Sequence, residues 1–450
     1  MVQFIGELGL SGTERIEDEA GAKELLEKYY GELEIGTESP GREAVKTMAL
    51  LQWGATAAPE EARKIADWTD PTRTVRTGNV GVQGLLRKGD LTTSASFAMA
   101  EWGPVDTPAG YSPLRIIKGE LEGEFLPLGI IGPDGKGLGE FLARRARSWY
   151  EKKLPSGGLL TAAFLEEGAF SEDGLSGNLM AGLPYACSVQ AQGGCVFCPF
   201  GKGETGIPTA EDFGFAAVEA VGRNGGRTTI TITAGNTGRP ERGLERYLPV
   251  LSEIRERLIE AGLKPPPIQL EVSPPNWEVL GYLGVEELFG KLIELGVTSL
   301  MLNPEIPITP ENAREREVRL KSKGSIPESD YLRSWELAKK MDLGTAGVLI
   351  WGLGGEAADY RDFSALEAYK SGVDKMASVG AYPVSLALRP RGALMGKYAP
   401  PPLKGQVELV IYSANVCAKA GISPPPGCSK CSACGPDGVA YDLALKGELK

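Results

Sequence analysis

The sequence of 450 residues contains no histidine. Histidine is the usual general base beside a serine or cysteine nucleophile and the commonest metal-binding side chain. Its absence excludes Ser-His and Cys-His catalysis, and metal sites with mixed Cys/His ligands, as contributions of this chain alone. Chemistry must therefore depend on thiolates, carboxylates, Lys, Tyr, Ser/Thr or a bound cofactor.

The sequence also lacks an excess of positive charge and any long apolar run. Its formal net charge is -11, which argues against a nucleic-acid partner. No apolar run approaches the roughly 18 residues that span a bilayer. The first residues become acidic at once, unlike a secretory signal. We expect a cytoplasmic protein that binds neither nucleic acid nor membrane.

The length exceeds the usual size of one hydrophobic core, so two or three structural units are expected. We expect an N-terminal domain of unknown role at 1–178, a barrel at 179–402 and a cysteine-rich C-terminal region at 403–450. In the first of these, amphipathic helices are predicted at 21–34, 41–55 and 138–154, and strands or loops at 76–103.

From about residue 180 to 400, short β-branched segments alternate with longer helical ones. Strands are predicted at 227–235, 267–275, 297–306, 345–355 and 381–392. Near-continuous apolar strands alternating with helices indicate an α/β fold with parallel strands buried on both faces. Right-handed crossovers would curl five or six such units into a partial or full TIM-like (β/α) barrel, whose ligands gather at the C-terminal ends of the strands.

Three of the seven cysteines lie in one Gly/Gln-rich segment, with the spacing Cys187-x7-Cys195-x2-Cys198. Cysteines in a cytosolic chain are more readily metal ligands or free thiols than disulfides. Three thiolates from one loop can hold three irons of a [4Fe–4S] cluster and leave the fourth iron open to an external ligand. A structural zinc would normally take four protein ligands. Three unrelated thiols remain the alternative.

A second group has the spacing Cys428-x2-Cys431-x2-Cys434, with Cys417 upstream. Four thiolates in a Pro- and Gly-rich tail are typical of a metal centre, and we expect an auxiliary iron–sulfur cluster there. Structural zinc and free redox thiols remain open. If Cys417 is not a ligand, this cluster also has an open iron.

The first cysteine group resembles the signature of the radical S-adenosylmethionine (SAM) superfamily, CxxxCxxC with an aromatic residue before the last cysteine. Cys195, Phe197 and Cys198 match its second half, and the first gap is longer than usual. Downstream, three segments resemble strand-end SAM motifs of its biotin-synthase-like branch. They are ITAGNTG (232–238), LMLNPEI (300–306) and GVLIWGLGGE (347–356).

The resemblance implies a set of residues that contact SAM. These are Phe197, Gly235, Asn236, Thr237, Asn303, Glu305, Arg319, Ile350 and Gly352. The candidates for binding the methionine carboxylate are Arg316, Arg319 and Lys323. The sequence does not decide among them. No catalytic side chain is assigned, because the key step needs no general base.

The resemblance implies a radical SAM enzyme with two [4Fe–4S] clusters. SAM would be cleaved reductively to a 5′-deoxyadenosyl radical, which abstracts hydrogen from an unactivated carbon of a small-molecule, peptide or protein substrate. An external donor such as ferredoxin or flavodoxin would supply the electron. The auxiliary cluster would assist sulfur insertion of the lipoyl- or biotin-synthase type, as a sulfurtransferase, or accept an electron in an oxidative modification. Alternatives of another class are a non-catalytic iron–sulfur carrier or scaffold and a zinc-stabilised barrel protein.

Overall fold

The computed structural model describes residues 19–69, 79–89, 91–100, 112–123, 125–166, 177–183, 187, 194–198, 208–223, 228–355, 360, 363–388, 401–427 and 435–449. The predicted ligands Cys428, Cys431 and Cys434 lie outside these residues, so the cysteine-rich tail is not described. Among the helices of the described ranges, none is long and apolar enough to cross a bilayer.

In its described residues, the N-terminal unit combines three helices with an antiparallel sheet. The helices are α1 (Glu19–Glu32), α2 (Pro40–Leu51) and α3 (Pro59–Thr69). The strands are β1 (Asn79–Lys88), β2 (Leu91–Ala100), β3 (Arg115–Lys118), β4 (Phe125–Ile131) and β5 (Gly137–Arg144), in the order β2-β1-β5-β4-β3. The first two predicted helices are confirmed. Within 76–103, where strands or loops are predicted, β1 and β2 form a hairpin.

The predicted helix at 138–154 is wrong. Residues Gly137–Arg144 form β5, which pairs with both β1 and β4, and no helix follows within 145–154. Sheet neighbours bury the apolar side chains here, so tertiary pairing overrides their helical spacing. Gly139 has φ 144°, and a Cβ there would lie 2.9 Å from the carbonyl oxygen of Arg87, an approach that favours glycine.

Six parallel strands form a half-barrel, which confirms the α/β class and the partial barrel. They are β7 (Gly177–Leu183), β8 (Thr228–Ala234), β9 (Ile268–Val272), β10 (Val297–Leu302), β11 (Gly344–Trp351) and β12 (Tyr382–Ala387), and each is hydrogen-bonded to the next. A short strand, β6 (Leu165–Glu166), adds antiparallel to β7. All five predicted strands are confirmed, and β7 precedes the first cysteine group.

Helices cover the outside of the half-barrel. They are α4 (Ala210–Arg223), α5 (Tyr247–Glu260), α6 (Trp277–Glu294), α8 (Glu328–Lys340) and α9 (Ser364–Ser378), whereas α7 (Ala313–Leu320) ends at Leu320 of the interior core. Asn276 is the N-cap of α6, and its side-chain oxygen accepts hydrogen bonds from the backbone N–H groups of Glu278 and Val279. This cap satisfies donors that the first turn of a helix leaves free.

Alternate residues of each strand face either these helices or the interior of the half-barrel, as strand geometry requires. On β11, Leu349 and Trp351 belong to the core shared with the helices, whereas Ala346, Val348 and Ile350 belong to a separate interior core. The interior core therefore lines the space below the strand ends where ligands of such folds bind.

Two C-terminal helices, α10 (Leu403–Ala420) and α11 (Gly435–Lys446), connect the half-barrel with the N-terminal unit. Leu403, Val407 and Leu443 are buried in the core of the N-terminal unit. At the open edge of the half-barrel, Asp437 of α11 accepts a hydrogen bond from the backbone N–H of Ser385 on β12 at 2.9 Å. The edge strand is thus covered rather than left unpaired.

Candidate functional site

Cys187 lies directly against the end of β8. A Cβ added to Gly235 would stand 2.1 Å from the Cβ and 2.8 Å from the Sγ of Cys187, so only glycine permits this contact. Asn236 and Thr237 follow and are both buried, and the Thr237 N–H donates to the carbonyl of Arg242 at 3.3 Å. The structure therefore brings the first cysteine of the loop to the predicted SAM-contacting turn.

Cys195 and Val196 lie against the end of α7. The thiol of Cys195 donates to the carbonyl of Leu320 at 3.5 Å, and the N–H of Val196 donates to the carbonyl of Arg319 at 3.0 Å. The N–H of Cys198 donates to the carbonyl of Cys195 at 3.1 Å, which makes a tight turn.

Phe197, at the centre of that turn, is half-buried. Its ring packs against the interior core of the half-barrel, together with Cys195 and Val196. The structure therefore gives the aromatic residue between the two cysteines a packing role.

The three thiols of this loop share one electrostatic environment. Burial raises the pKa of Cys195 to about 12; Lys323 opposes this rise, while Glu305, Cys198 and Cys187 add to it. Among the described residues, however, no three Cys, Asp or Glu side chains are close enough together to hold a metal ion. The thiols lie in one region without forming a closed ligand set.

The end of β10 carries a buried ion pair. The Glu305 carboxylate lies 2.6 Å from Lys323 Nζ, and the two side chains are 6% and 14% exposed. Burial alone would lower the pKa of Lys323, yet the adjacent carboxylate holds it above its ordinary value. Glu305 has φ 64°, an uncommon backbone region for a residue other than glycine. Its N–H and C=O both bond to β11, which fixes this conformation.

Asn303 supports the same strand end. Its side-chain oxygen accepts from the N–H of Val348 on β11 at 3.1 Å, and its backbone carbonyl accepts from the Tyr331 hydroxyl at 3.4 Å. In this structure Asn303 and Glu305 hold β10 and β11 together where the two strands leave the half-barrel.

The three candidates for binding the methionine carboxylate differ in the hydrogen bonds that their side chains already make. Arg319 donates to the carbonyls of Leu353 and Gly355 and pairs with Glu315 at 2.8 Å. Lys323 is held by Glu305. Arg316 is 2% exposed, and its Nε and Nη2 atoms have no hydrogen-bond partner within the part of the chain that the structure describes.

A buried guanidinium with unused donors is costly unless an anion reaches it. Burial lowers the pKa of Arg316, while Tyr331 and Glu328 oppose that shift. Arg316 therefore has two donor atoms left for a carboxylate, whereas Arg319, whose other donors are used, has only its Nε without a partner among the described residues.

The predicted adenine-side segment ends β11. Ile350 belongs to the interior core, and its carbonyl accepts from the Tyr369 hydroxyl at 2.6 Å. Gly352 has φ 94°, and a Cβ there would lie 2.5 Å from Cγ of Pro401. The glycine is thus required both by its backbone angle and by the close approach of the segment before α10.

Cys417 lies on α10, fully buried at the edge of the interior core. Burial raises the pKa of its thiol to about 12, and the Asp437 carboxylate adds to this. After α10 the chain passes the beginning of β11, where a Cβ on Gly344 would lie 3.1 Å from Cβ of Pro425. The segment leading to the second cysteine group thus runs past the N-terminal end of a barrel strand.

Sequence reasoning missed two residues of this region, Arg242 and Tyr331. Arg242 donates to the Asp330 carboxylate at 2.8 Å and to the carbonyls of Pro274 and Pro275, which joins the loops after β8 and β9 to α8. Tyr331 lies within electrostatic range of Arg242, Arg316 and Lys323. A single Arg and a single Tyr in ordinary segments give no sequence signal for these contacts.

No protein-family model and no curated protein matches this chain. Among solved structures, it is similar to the radical S-adenosylmethionine methyltransferase TsrM from Kitasatospora setae, with tryptophan substrate and the SAM analogue aza-SAM bound. The identity is 16%, the match covers 49% of this chain and 38% of that chain, and the TM-score is 0.32. The match thus spans well under half of that enzyme, and a TM-score of this size carries no weight for the function of this chain.

Proposed function

We propose that this protein is a radical SAM enzyme, which cleaves SAM reductively and abstracts hydrogen from an unactivated carbon of its substrate. One observation carries the proposal. Cys187 packs on Gly235 after β8 and Cys195 on Leu320 at the end of α7, so both cysteines lie at the C-terminal edge of the strands. Ligands of parallel α/β barrels bind at that edge.

The chemistry of the donor set suits an iron–sulfur cluster, although the described thiols are too far apart in this structure to share one metal ion. Thiolates are its usual ligands, and Cys187, Cys195 and Cys198 would supply three, which leaves one iron for SAM. Because metal binding deprotonates thiols, loading would offset the rise that burial gives to the pKa of Cys195. When bound, the reduced cluster supplies the electron that breaks the sulfonium bond to the 5′ carbon of SAM.

The chain's own residues would bind and orient SAM. In this proposal Arg316 binds the methionine carboxylate through its buried, unused donors, and the turn of Gly235, Asn236 and Thr237 receives the amino group. Asn303 and Glu305 would contact the ribose, held by their bonds to β11. Ile350 and Gly352 would line the adenine side.

The proposal extends to a second [4Fe–4S] cluster bound by Cys417, Cys428, Cys431 and Cys434. Its role would be sulfur insertion, with electron acceptance during oxidation of a peptide or small molecule as the second candidate. Cys417 supports a buried site, because its thiol is fully shielded from solvent beside the interior core.

Metal analysis tests the proposal. After anaerobic reconstitution we expect about eight iron and about eight sulfide per chain, as two [4Fe–4S] clusters require. Cys195→Ala and Cys431→Ala should each remove about half, from different sites, and the double variant should retain almost none. Zinc without iron in protein purified without oxygen, or unchanged iron in Cys195→Ala, would contradict the first site.

A further inference from the structure

The interior wall of the half-barrel has a polar side and an apolar side. On β7 to β9 several inward positions are polar, because Leu179, Ile230 and Leu270 face the helices and their neighbours face inward. These inward residues are Asn178, Thr229, Thr231 and Gln269. On β10 to β12 the inward residues include Met301, Ala346, Val348 and Val384, all in the interior core, together with the polar Ser299.

Asn178 is the polar residue whose hydrogen bonds are incomplete. Its Oδ1 accepts from the hydroxyls of Thr229 and Thr231, both at 2.9 Å, and the residue is fully buried. Its Nδ2 has no hydrogen-bond partner within the described part of the chain. Two threonines thus fix the amide so that its N–H donors remain unused.

The neighbouring polar residues on the same wall are satisfied. Gln269 accepts from the Ser299 hydroxyl at 3.3 Å, and its Nε2 donates to Sδ of Met301 at 3.7 Å. An unsatisfied buried donor costs about 1–3 kcal/mol, a cost that a bound acceptor would remove. The arrangement at Asn178 is therefore explained if a bound molecule supplies the acceptor.

We propose that the interior of the half-barrel binds an uncharged molecule with an amide or ketone carbonyl next to an aliphatic segment. The carbonyl oxygen accepts from Asn178 Nδ2, and the aliphatic segment packs on Met301 and Val348 of the opposite wall. The group bound at Asn178 is uncharged because Asn178, Thr229 and Thr231 are neutral; the carboxylate of Glu271 lies two residues further along β9 than Gln269. This names the substrate class of the proposed enzyme and rests on the proposed function for what happens to the bound molecule.

Binding of two matched probes tests the inference. Octanamide carries a carbonyl acceptor, and octylammonium has the same chain length with donors alone. By calorimetry with the full-length, anaerobically reconstituted chain and no SAM, octanamide should bind at least about tenfold more tightly than octylammonium. Asn178→Leu should weaken octanamide binding about tenfold or more, and its melting temperature should fall, because the buried hydroxyls of Thr229 and Thr231 lose their acceptor.

Two further variants keep the test decisive. Thr231→Val removes one of the hydroxyls that hold Asn178, so it should weaken octanamide binding even if Asn178→Leu does not fold. Gln406→Leu is the matched control, because Gln406 is fully buried in the N-terminal unit and its Oε1 has no partner among the described residues. This control should bind octanamide as the unmodified chain does.

The inference is overturned if the unmodified chain fails to bind octanamide, or if Asn178→Leu and Thr231→Val bind it normally. Binding requires no turnover, so its outcome is separate from that of the proposed function. A chain that binds octanamide through Asn178 but never cleaves SAM keeps this site and loses the radical SAM proposal. Conversely, a chain that cleaves SAM but does not bind octanamide keeps the radical SAM proposal and loses this site.

Discussion

At the scale of single residues, Gly235 is where the cysteine loop meets the half-barrel. Gly235→Ala would place a Cβ 2.1 Å from Cβ of Cys187, so the loop must move away from the end of β8. If Cys187 is a cluster ligand held by this contact, iron bound at the first site should fall to less than about half after anaerobic reconstitution. Iron analysis in a Cys431→Ala background, which isolates the first site, measures this.

Gly238→Ala is the control for that substitution. Gly238 lies three residues further along the same turn, and a Cβ there would meet no atom within 4 Å. Its iron content should match that of the unmodified chain. Equal iron in Gly235→Ala and Gly238→Ala would contradict the role given to Cys187.

Sequence reasoning proposed residues of the candidate site but did not foresee their contacts. The cysteine spacing and the strand-end motifs indicated Cys195, Gly235 and Glu305, because each lies in a short local pattern. The contact of Cys187 with Gly235 and the unused donors of Arg316 depend on chain segments that meet only after folding. No local pattern records such contacts.

At the scale of secondary-structure elements, the strands of the half-barrel were predictable and β5 was not. Runs such as that of β11 are apolar and continuous, which is typical of parallel strands buried on both faces. The residues of β5 carry apolar side chains at helical spacing, and their conformation is decided by pairing with β1 and β4. Pairing partners distant in sequence are invisible to local periodicity.

The contact between α11 and β12 predicts a pH dependence of stability. Burial raises the pKa of Asp437 from 3.8 to about 8, although its bond from the Ser385 N–H opposes this. In the unfolded chain the group releases its proton near its ordinary pKa, so the folded protein holds more protons between about pH 4 and about pH 8. The free energy of unfolding should therefore fall as the pH rises through that window.

Asp437→Asn keeps a side-chain oxygen to accept from Ser385 and removes the titrating proton. Urea unfolding at about pH 5 and about pH 8 should show a smaller decrease for this variant than for the unmodified chain. An identical decrease in both proteins would show that Asp437 does not titrate in the folded state with a raised pKa.

At the scale of the whole molecule, α10 joins the N-terminal unit to the half-barrel. Leu403 and Val407 are buried in the N-terminal core, and between them Gly405 lies against the ring of Trp351 on β11. Gly405→Ala would place a Cβ 2.2 Å from Cζ2 of that ring, which must shift the helix or the strand. We expect a loss of about 1–3 kcal/mol in the free energy of unfolding, measured by urea denaturation.

Gly290→Ala in α6 is the control, a glycine substitution that is expected to stabilise the chain. A Cβ at Gly290 would meet no atom within 4 Å, so the substitution should stabilise the chain by about 0.5–1 kcal/mol through helix propensity. If Gly405→Ala proved equally stabilising, the close packing between α10 and β11 would be refuted.

The architecture of the whole chain was predictable only in part. Alternating strands and helices predicted the parallel half-barrel, because this alternation repeats along the sequence. The shared core of α10, α11 and the N-terminal helices was not foreseen, since it joins the two ends of the chain. The boundaries suggested near residues 178 and 402 stay predictions.

Formation of 5′-deoxyadenosine tests the central claim most directly. The anaerobically reconstituted full-length chain is reduced with dithionite, given SAM, and the products are measured by mass spectrometry. We predict 5′-deoxyadenosine and methionine in equal amounts, and none from Cys195→Ala. A fully loaded, reduced protein that leaves SAM intact, with an EPR signal that SAM does not perturb, would contradict the claim and favour an iron–sulfur carrier.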